Sequence, residues 1–209
     1  MSEQDTYWQE QIHGVMPELE IVEYELHQEG VVNDVLIVNN EWVIRFTKTG
    51  WGKELMANED RLMCFLKPRL SLFIPTPVKR GDGVIVYPHL IGETFMRQTW
   101  WSMGEPGIQN LADQLGQFLY ELHSIDVEDL DWEVPHSFAP TTRETWLEIH
   151  DRVVDKVYPI LLPHQIDWVE ALFHPALSKP DFFNFEPVLV HGDLTPYHIL
   201  YHPEQKRLT

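Results

Sequence analysis

The pair Asn39-Asn40 stands between two apolar, β-branched runs, NDVLIVNN (33–40) and EWVIRF (41–46). Adjacent asparagines tolerate the left-handed backbone of a tight hairpin turn, so the two runs are constrained to pair as antiparallel strands. A third run, LEIVEYELH (19–27), precedes them. Two more, PTPVKRG and GVIVYPHL, follow and are joined at Gly81-Asp82-Gly83. Between these groups, residues 51–67 (WGKELMANEDRLMCFLK) have helical spacing and stop before Pro68. Residues 19–91 therefore read as an antiparallel sheet with one helix inserted after the third strand. A short helix at 5–16 comes first, with Asp5 as its cap and Pro17 after its end. The second half changes character. Residues 108–125 put Ile108, Leu111, Leu115, Phe118, Leu119 and Leu122 on one helical face. Helices are also predicted at 141–160, opening on Thr-Thr-Arg-Glu, and at 164–177. A sheet-rich lobe over 1–91 and a helix-rich lobe over 92–209 make an α+β, two-lobe arrangement.

Two charged residues interrupt the apolar pattern. In EWVIRF, strand alternation puts Val43 and Arg45 on one face and Trp42, Ile44 and Phe46 on the other. In the inserted helix, Leu55, Glu59, Leu62 and Leu66 fall at i, i+4, i+7 and i+11, so Glu59 lies in the apolar stripe. A carboxylate there is costly unless paired. Further along, VLVH (188–191) reads as a short strand, followed by a loop and a strand HILYH (198–202) that turns at Pro203-Glu204. Asp193 then sits at the mouth of an apolar strand, where a carboxylate can orient a hydroxyl and accept its proton.

The pattern VLVHGDLxPxxIL, with a strand on either side of His191-Gly192-Asp193-Leu194, resembles the aminoglycoside phosphotransferase and choline kinase-like family over residues 25–209. The resemblance implies a protein-kinase-like fold, ATP or GTP with Mg2+, and transfer of phosphate to a hydroxyl of a small molecule. It implies Asp193 as the base. Arg45–Glu59 stands where kinases hold a phosphate-binding Lys–Glu pair, with Lys48 as a second candidate for the phosphate contact. The loop EGVVND (29–34) takes the place of the loop over the nucleotide phosphates, with Asn33 as its polar contact. The segment VIVYPHLIGET (84–94) takes the place of the linker that holds the base, through the carbonyl of Pro88 and the N–H of Leu90. His198 is the fifth residue after Asp193, where protein kinases carry a magnesium-binding asparagine. His123, in LYELHS, is expected to be structural, as is Cys64 in its apolar helical run.

The family continues into a second metal-binding aspartate in a D-F-G-like motif. This sequence ends at Lys206-Arg207-Leu208-Thr209, where the strand leading into that motif is expected, so the chain reads as truncated. By itself it is expected to have little phosphotransferase activity and to self-associate through apolar surface of the helical lobe. The alternative is a non-catalytic, kinase-like nucleotide- or partner-binding protein. A hydrolase using His191 and Asp193 is a weaker alternative, because no G-x-S-x-G nucleophile motif is present. The net charge of −18 argues against nucleic acid as a partner and favours a cationic small molecule. No apolar run reaches the roughly 20 residues of a membrane span, and the first residues lack a secretory pattern, so a cytoplasmic protein is expected.

Overall fold

The computed structural model describes residues 3–132 and 141–209. They form two compact units, one of residues 1–135 with 193–209, the other of residues 136–192. In the first unit, helix α1 (Glu3–Val15) leads into strands β1 (Tyr24–His27), β2 (Asn33–Val38) and β3 (Trp42–Thr47). Helix α2 (Gly50–Leu66) follows, then β4 (Lys79–Gly81) and β5 (Val84–Pro88). These strands make one antiparallel sheet in the order β1-β2-β3-β5-β4. Asn39 and Asn40 both take φ 53°, the turn predicted from their adjacency, and Val38 pairs with Trp42 across it. Gly83, at φ 76°, turns β4 into β5.

The two faces of this sheet carry different loads. On one, Leu36, Val38, Ile44, Val84 and Val86 pack against Trp8, Ile12 and Met16 from α1 and the residue just past its end. Burying each such side chain stabilises by about 1.5–3 kcal/mol, so α1 is part of the core rather than an appendage. On the other face, Ile85 and Tyr87 pack against Met56 and Met63 of α2. Thr49 caps α2 by accepting the N–H of Gly52 at 3.2 Å.

The buried line of α2 runs through Gly52, Met56, Met63 and Leu66. Leu55 and Leu62, expected at the centre of the stripe, are only half-buried. The stripe is rotated by one position, from Leu55 and Leu62 to Met56 and Met63. Cys64 lands on the exposed flank, with its thiol against Asp60 and Arg80, which corrects the expectation of a packed residue.

After β5 the first unit continues with β6 (Glu93–Thr94), α3 (Arg97–Ser102) and α4 (Glu105–His123). It resumes after the second unit with a 3-10 turn (Pro196–His198), β7 (Leu200–His202) and β8 (Arg207–Leu208). Strands β6, β7 and β8 form a second sheet, in that order. Leu111 of α4 packs on Tyr201 and Leu208 of this sheet. Lys206, at φ 51°, closes the β7–β8 turn, and its carbonyl accepts from the Asn110 side chain at 2.9 Å. His123 is exposed in the last turn of α4.

The second unit holds α5 (Arg143–Lys156) and α6 (Pro163–Ser178), joined by a 3-10 turn (Tyr158–Ile160). Thr142 and Thr145 form a reciprocal cap at the start of α5, and Trp146 meets Phe173 edge-on at 5.3 Å. Residues 188–191, expected as a strand, pair with no other strand among the described residues. Their apolar sequence is that of a strand, but a strand needs a partner to satisfy its backbone. No helix among the described residues is long and apolar enough to cross a membrane.

Candidate active site

Strand β3 carries Arg45 on the face turned to α2, because its neighbours Val35 and Ile85 fix the register. The guanidinium donates to both carboxylate oxygens of Glu59, at 2.7 and 3.0 Å. This two-pronged geometry is available to arginine and not to lysine. The side chain of Arg45 is 17% exposed and that of Glu59 43%, so the pair is screened on the Glu59 side only. Burial opposes the charge on Arg45, but the hydrogen bond and charge of Glu59 outweigh it and hold the guanidinium above its ordinary value. Tyr87 lies diagonally across from Arg45, since Val43 pairs with Tyr87 and Arg45 with Ile85. Burial, with Glu59 adding to it, pushes the Tyr87 phenol up, while Arg45 pulls it down. The phenol therefore stays neutral across the physiological range.

The loop between β1 and β2 is held by Lys48. Its ammonium donates to the carbonyls of Gln28 and Gly30, each at 2.7 Å, and stands 3.2 Å from Asp34. The backbone N–H of Lys48 donates to Val32 at 2.8 Å. Lys48 thus ties the loop down through backbone oxygens. A side chain at Gly30 would meet the Asn33 carbonyl at 3.0 Å, so the tight turn depends on glycine there. Asn33 opens β2, and its side-chain oxygen is buried without a hydrogen-bond partner. A buried acceptor left this way costs about 1–3 kcal/mol.

The end of β5 leaves backbone groups directed outward. His89 donates its N–H to Glu41 at 2.8 Å, so His89 faces β3. By the alternation of an extended strand, the Pro88 carbonyl and the Leu90 N–H face the opposite edge. The ladder to β4 ends at Val86, short of both.

Asp193 begins a turn built on its own carbonyl. That oxygen accepts the N–H of Thr195 at 3.0 Å and Nδ1 of His198 at 2.6 Å. Because a carbonyl only accepts, the second contact is donated by Nδ1–H of the ring. The carboxylate of Asp193 is 73% exposed, with Oδ2 at 3.7 Å from the same Nδ1. Gly192, at φ 79°, allows the sharp turn into Asp193. Sequence reasoning missed the role of the Asp193 carbonyl as the anchor for this turn. It also missed Tyr87, whose place beside Arg45 depends on the register of β5 against β3.

Among the described residues, no group of three or more His, Cys, Asp or Glu side chains is gathered to hold a metal ion. The ring of His198 would offer one donor, which suits a cation that arrives with phosphate oxygens and water rather than one caged by protein.

No curated protein matches the chain. Among solved structures it is similar to the GDP and kanamycin complex of APH(2")-IIia, with a TM-score of 0.82 and 26% identity over 96% of this chain and 68% of the other. It is similar to the GDP complex of wild-type aminoglycoside 2'-phosphotransferase-IIIa, with a TM-score of 0.82 and 27% identity over 94% and 67%. The apoenzyme of the macrolide 2'-phosphotransferase MphH from Brachybacterium faecium shares the fold, with a TM-score of 0.71 at 21% identity over 99% and 70%. The chain thus spans about two thirds of the length of these proteins. The architecture is the kinase-like α+β fold expected from the sequence. The phosphotransferase enzyme family model matches residues 23–209, and this chain belongs to that family.

Proposed function

We propose that the protein is a nucleotide-dependent phosphotransferase acting on a hydroxyl of a small molecule, of the aminoglycoside type or similar. The observation that carries this is the two-pronged Arg45–Glu59 pair on β3 and α2, in a chain whose family is that of phosphotransferases. A paired guanidinium on the central strand of a sheet is a fixed positive charge for the phosphates of ATP or GTP. Asn33, beside the loop pinned by Lys48, is the polar side chain that loop would offer to the phosphates. The outward Pro88 carbonyl and Leu90 N–H supply the acceptor–donor pair for a purine edge. In this reading, residues 1–91 are the nucleotide-binding lobe and 92–209 carry the catalytic loop.

Asp193 orients the acceptor hydroxyl and takes its proton as the phosphoryl group is transferred. Its exposure to solvent suits a base that must be reached by an incoming substrate. His198, its ring fixed by the contact with the Asp193 carbonyl, would be the side chain that holds Mg2+ carried by the nucleotide, and the ion would supply neutralisation of the phosphate charge. The excess of acidic residues, 33 against 15 basic, favours a cationic acceptor such as an aminoglycoside. A cytoplasmic location goes with this use of nucleotide.

Titration calorimetry with ATP and GTP in magnesium buffer tests the nucleotide half. Transfer of labelled γ-phosphate to a panel of aminoglycosides and macrolides, assayed on the full gene product, tests the other half. Nucleotide binding with transfer to none of them would instead support a nucleotide-binding module without turnover. Absence of nucleotide binding would sink both.

A further inference from the structure

We infer that Tyr87 is a positioning residue for the phosphate clamp, its hydroxyl oxygen holding the Arg45 guanidinium in the plane that the Glu59 fork defines. This deepens the proposed function and rests on it. The case begins with the register. Val43 pairs with Tyr87 and Arg45 with Ile85, so Arg45 and Tyr87 are diagonal neighbours on the α2 face of the sheet. At that separation two long side chains reach each other. The ring of Tyr87 is held on its other sides by Met56, Met63 and Ile85, which are all buried. It has little freedom to turn away.

The hydrogen-bond chemistry then leaves one direction. Arginine has donors and no acceptor, so the Tyr87 oxygen must accept from Arg45. Glu59 takes one N–H from each terminal nitrogen of the guanidinium, at 2.7 and 3.0 Å. A fork held on one side by a carboxylate that is 43% exposed can still swing with that carboxylate. A second acceptor on the sheet side, carried by a buried ring, removes the swing. Arg45 pulls the Tyr87 phenol down against the effect of burial, as a cation within reach of it does. The remaining N–H groups of Arg45 are then presented in a fixed direction, which is what recognition of a phosphate requires. The phenol's own proton is not consumed in this contact.

The test compares wild type with Tyr87→Phe, which keeps the packed ring and removes only the oxygen. Binding of ATP, GTP and inorganic triphosphate is measured by calorimetry beside binding of adenosine and guanosine, with thermal melting as a check on folding. The expected result is a loss of roughly three- to tenfold in affinity for each phosphate-bearing ligand, from one lost hydrogen bond on a charged group, with nucleoside affinity unchanged. In an Arg45→Lys background the same change is expected to have no further effect, because lysine offers no planar fork to orient. Equal binding of triphosphates by wild type and variant overturns the inference alone. So does a parallel loss for nucleosides and triphosphates, which would mark Tyr87 as packing only. If Tyr87→Phe fails to fold, the Arg45→Lys protein decides: Tyr87 stays in place there, and undiminished triphosphate affinity means that fork orientation does not matter. If wild type binds no nucleotide, the proposed function fails first and the inference with it.

Discussion

Arg45 and Asp193 are the two charged residues on which the proposed reaction turns, and they are held in opposite ways. Arg45 sits in the middle of a five-stranded sheet, between two strands, under a helix, with its charge tied to Glu59 at two points. Asp193 sits in a turn outside any strand, with its carboxylate mostly in solvent and its backbone carbonyl bonded to Thr195 and His198. The first group is preformed by regular structure and contributes to folding. The second is placed by local hydrogen bonds and contributes little to stability. Changes at the two sites should therefore separate cleanly into effects on catalysis and effects on binding and stability.

The largest expected effect is at Asp193. In the full gene product, Asp193→Asn should lower phosphate transfer by roughly 10²- to 10⁴-fold, the usual contribution of a general base. Nucleotide affinity and melting temperature should stay at the wild-type values, because the carboxylate is 73% exposed. A comparable fall in melting temperature would break the contrast. Next comes the clamp. Arg45→Ala should weaken ATP or GTP binding by roughly ten- to a hundredfold, the scale of a lost charge-assisted hydrogen bond. It should also cost about 1–3 kcal/mol of stability in urea unfolding, between the values for exposed and buried pairs. Glu59→Gln should show the stability loss more than the binding loss, which would sharpen the division of labour within the pair.

A smaller effect belongs to Lys48, which acts through backbone rather than ligand. Lys48→Met should loosen the loop tied at Gln28 and Gly30 and lower nucleotide affinity by about three- to tenfold. Amide exchange should quicken at residues 28–32 while β3 remains protected. If the loop's exchange is unchanged, Lys48 contacts phosphate directly and belongs with Arg45. The smallest effect gives a baseline from the second unit, where Tyr158 donates to Glu170 at 2.5 Å. The hydrogen bond to Glu170 raises the Tyr158 phenol from 10.0 to about 12. A group whose folded value is raised stabilises fully below its unfolded value and loses that contribution as pH climbs through the folded one. The melting temperature should fall between pH 10 and 12 slightly more in wild type than in Tyr158→Phe, and nucleotide binding should not respond to this substitution.

Much of the first lobe was legible before any coordinates. Asn39-Asn40 specified the hairpin, and alternation in EWVIRF put Arg45 on the face away from Ile44, where α2 brings Glu59. These succeed because period-two and period-3.6 patterns are local, and each strand there is followed by its partner. The misses share a cause. Strand β6 pairs with β7 across more than 100 residues, and its two-residue length leaves no periodic trace. Residues 188–191 carry a strand's composition but pair with no strand among the described residues. Cys64 has the right spacing for the core and lies on the flank, because Met56 and Met63 claimed the sheet contact.

The sequence alone thus determined the family, the hairpin-built sheet and the pairing of Arg45 with Glu59. Each of these follows from residue chemistry repeated at a fixed local period. Only the tertiary structure decided that Lys48 is spent on loop carbonyls, that the Asp193 carbonyl anchors the His198 ring, and that Tyr87 stands beside Arg45. Those are matters of which donor meets which acceptor. That choice depends on distances of a few tenths of an ångström between segments far apart in the chain, and no local pattern records it.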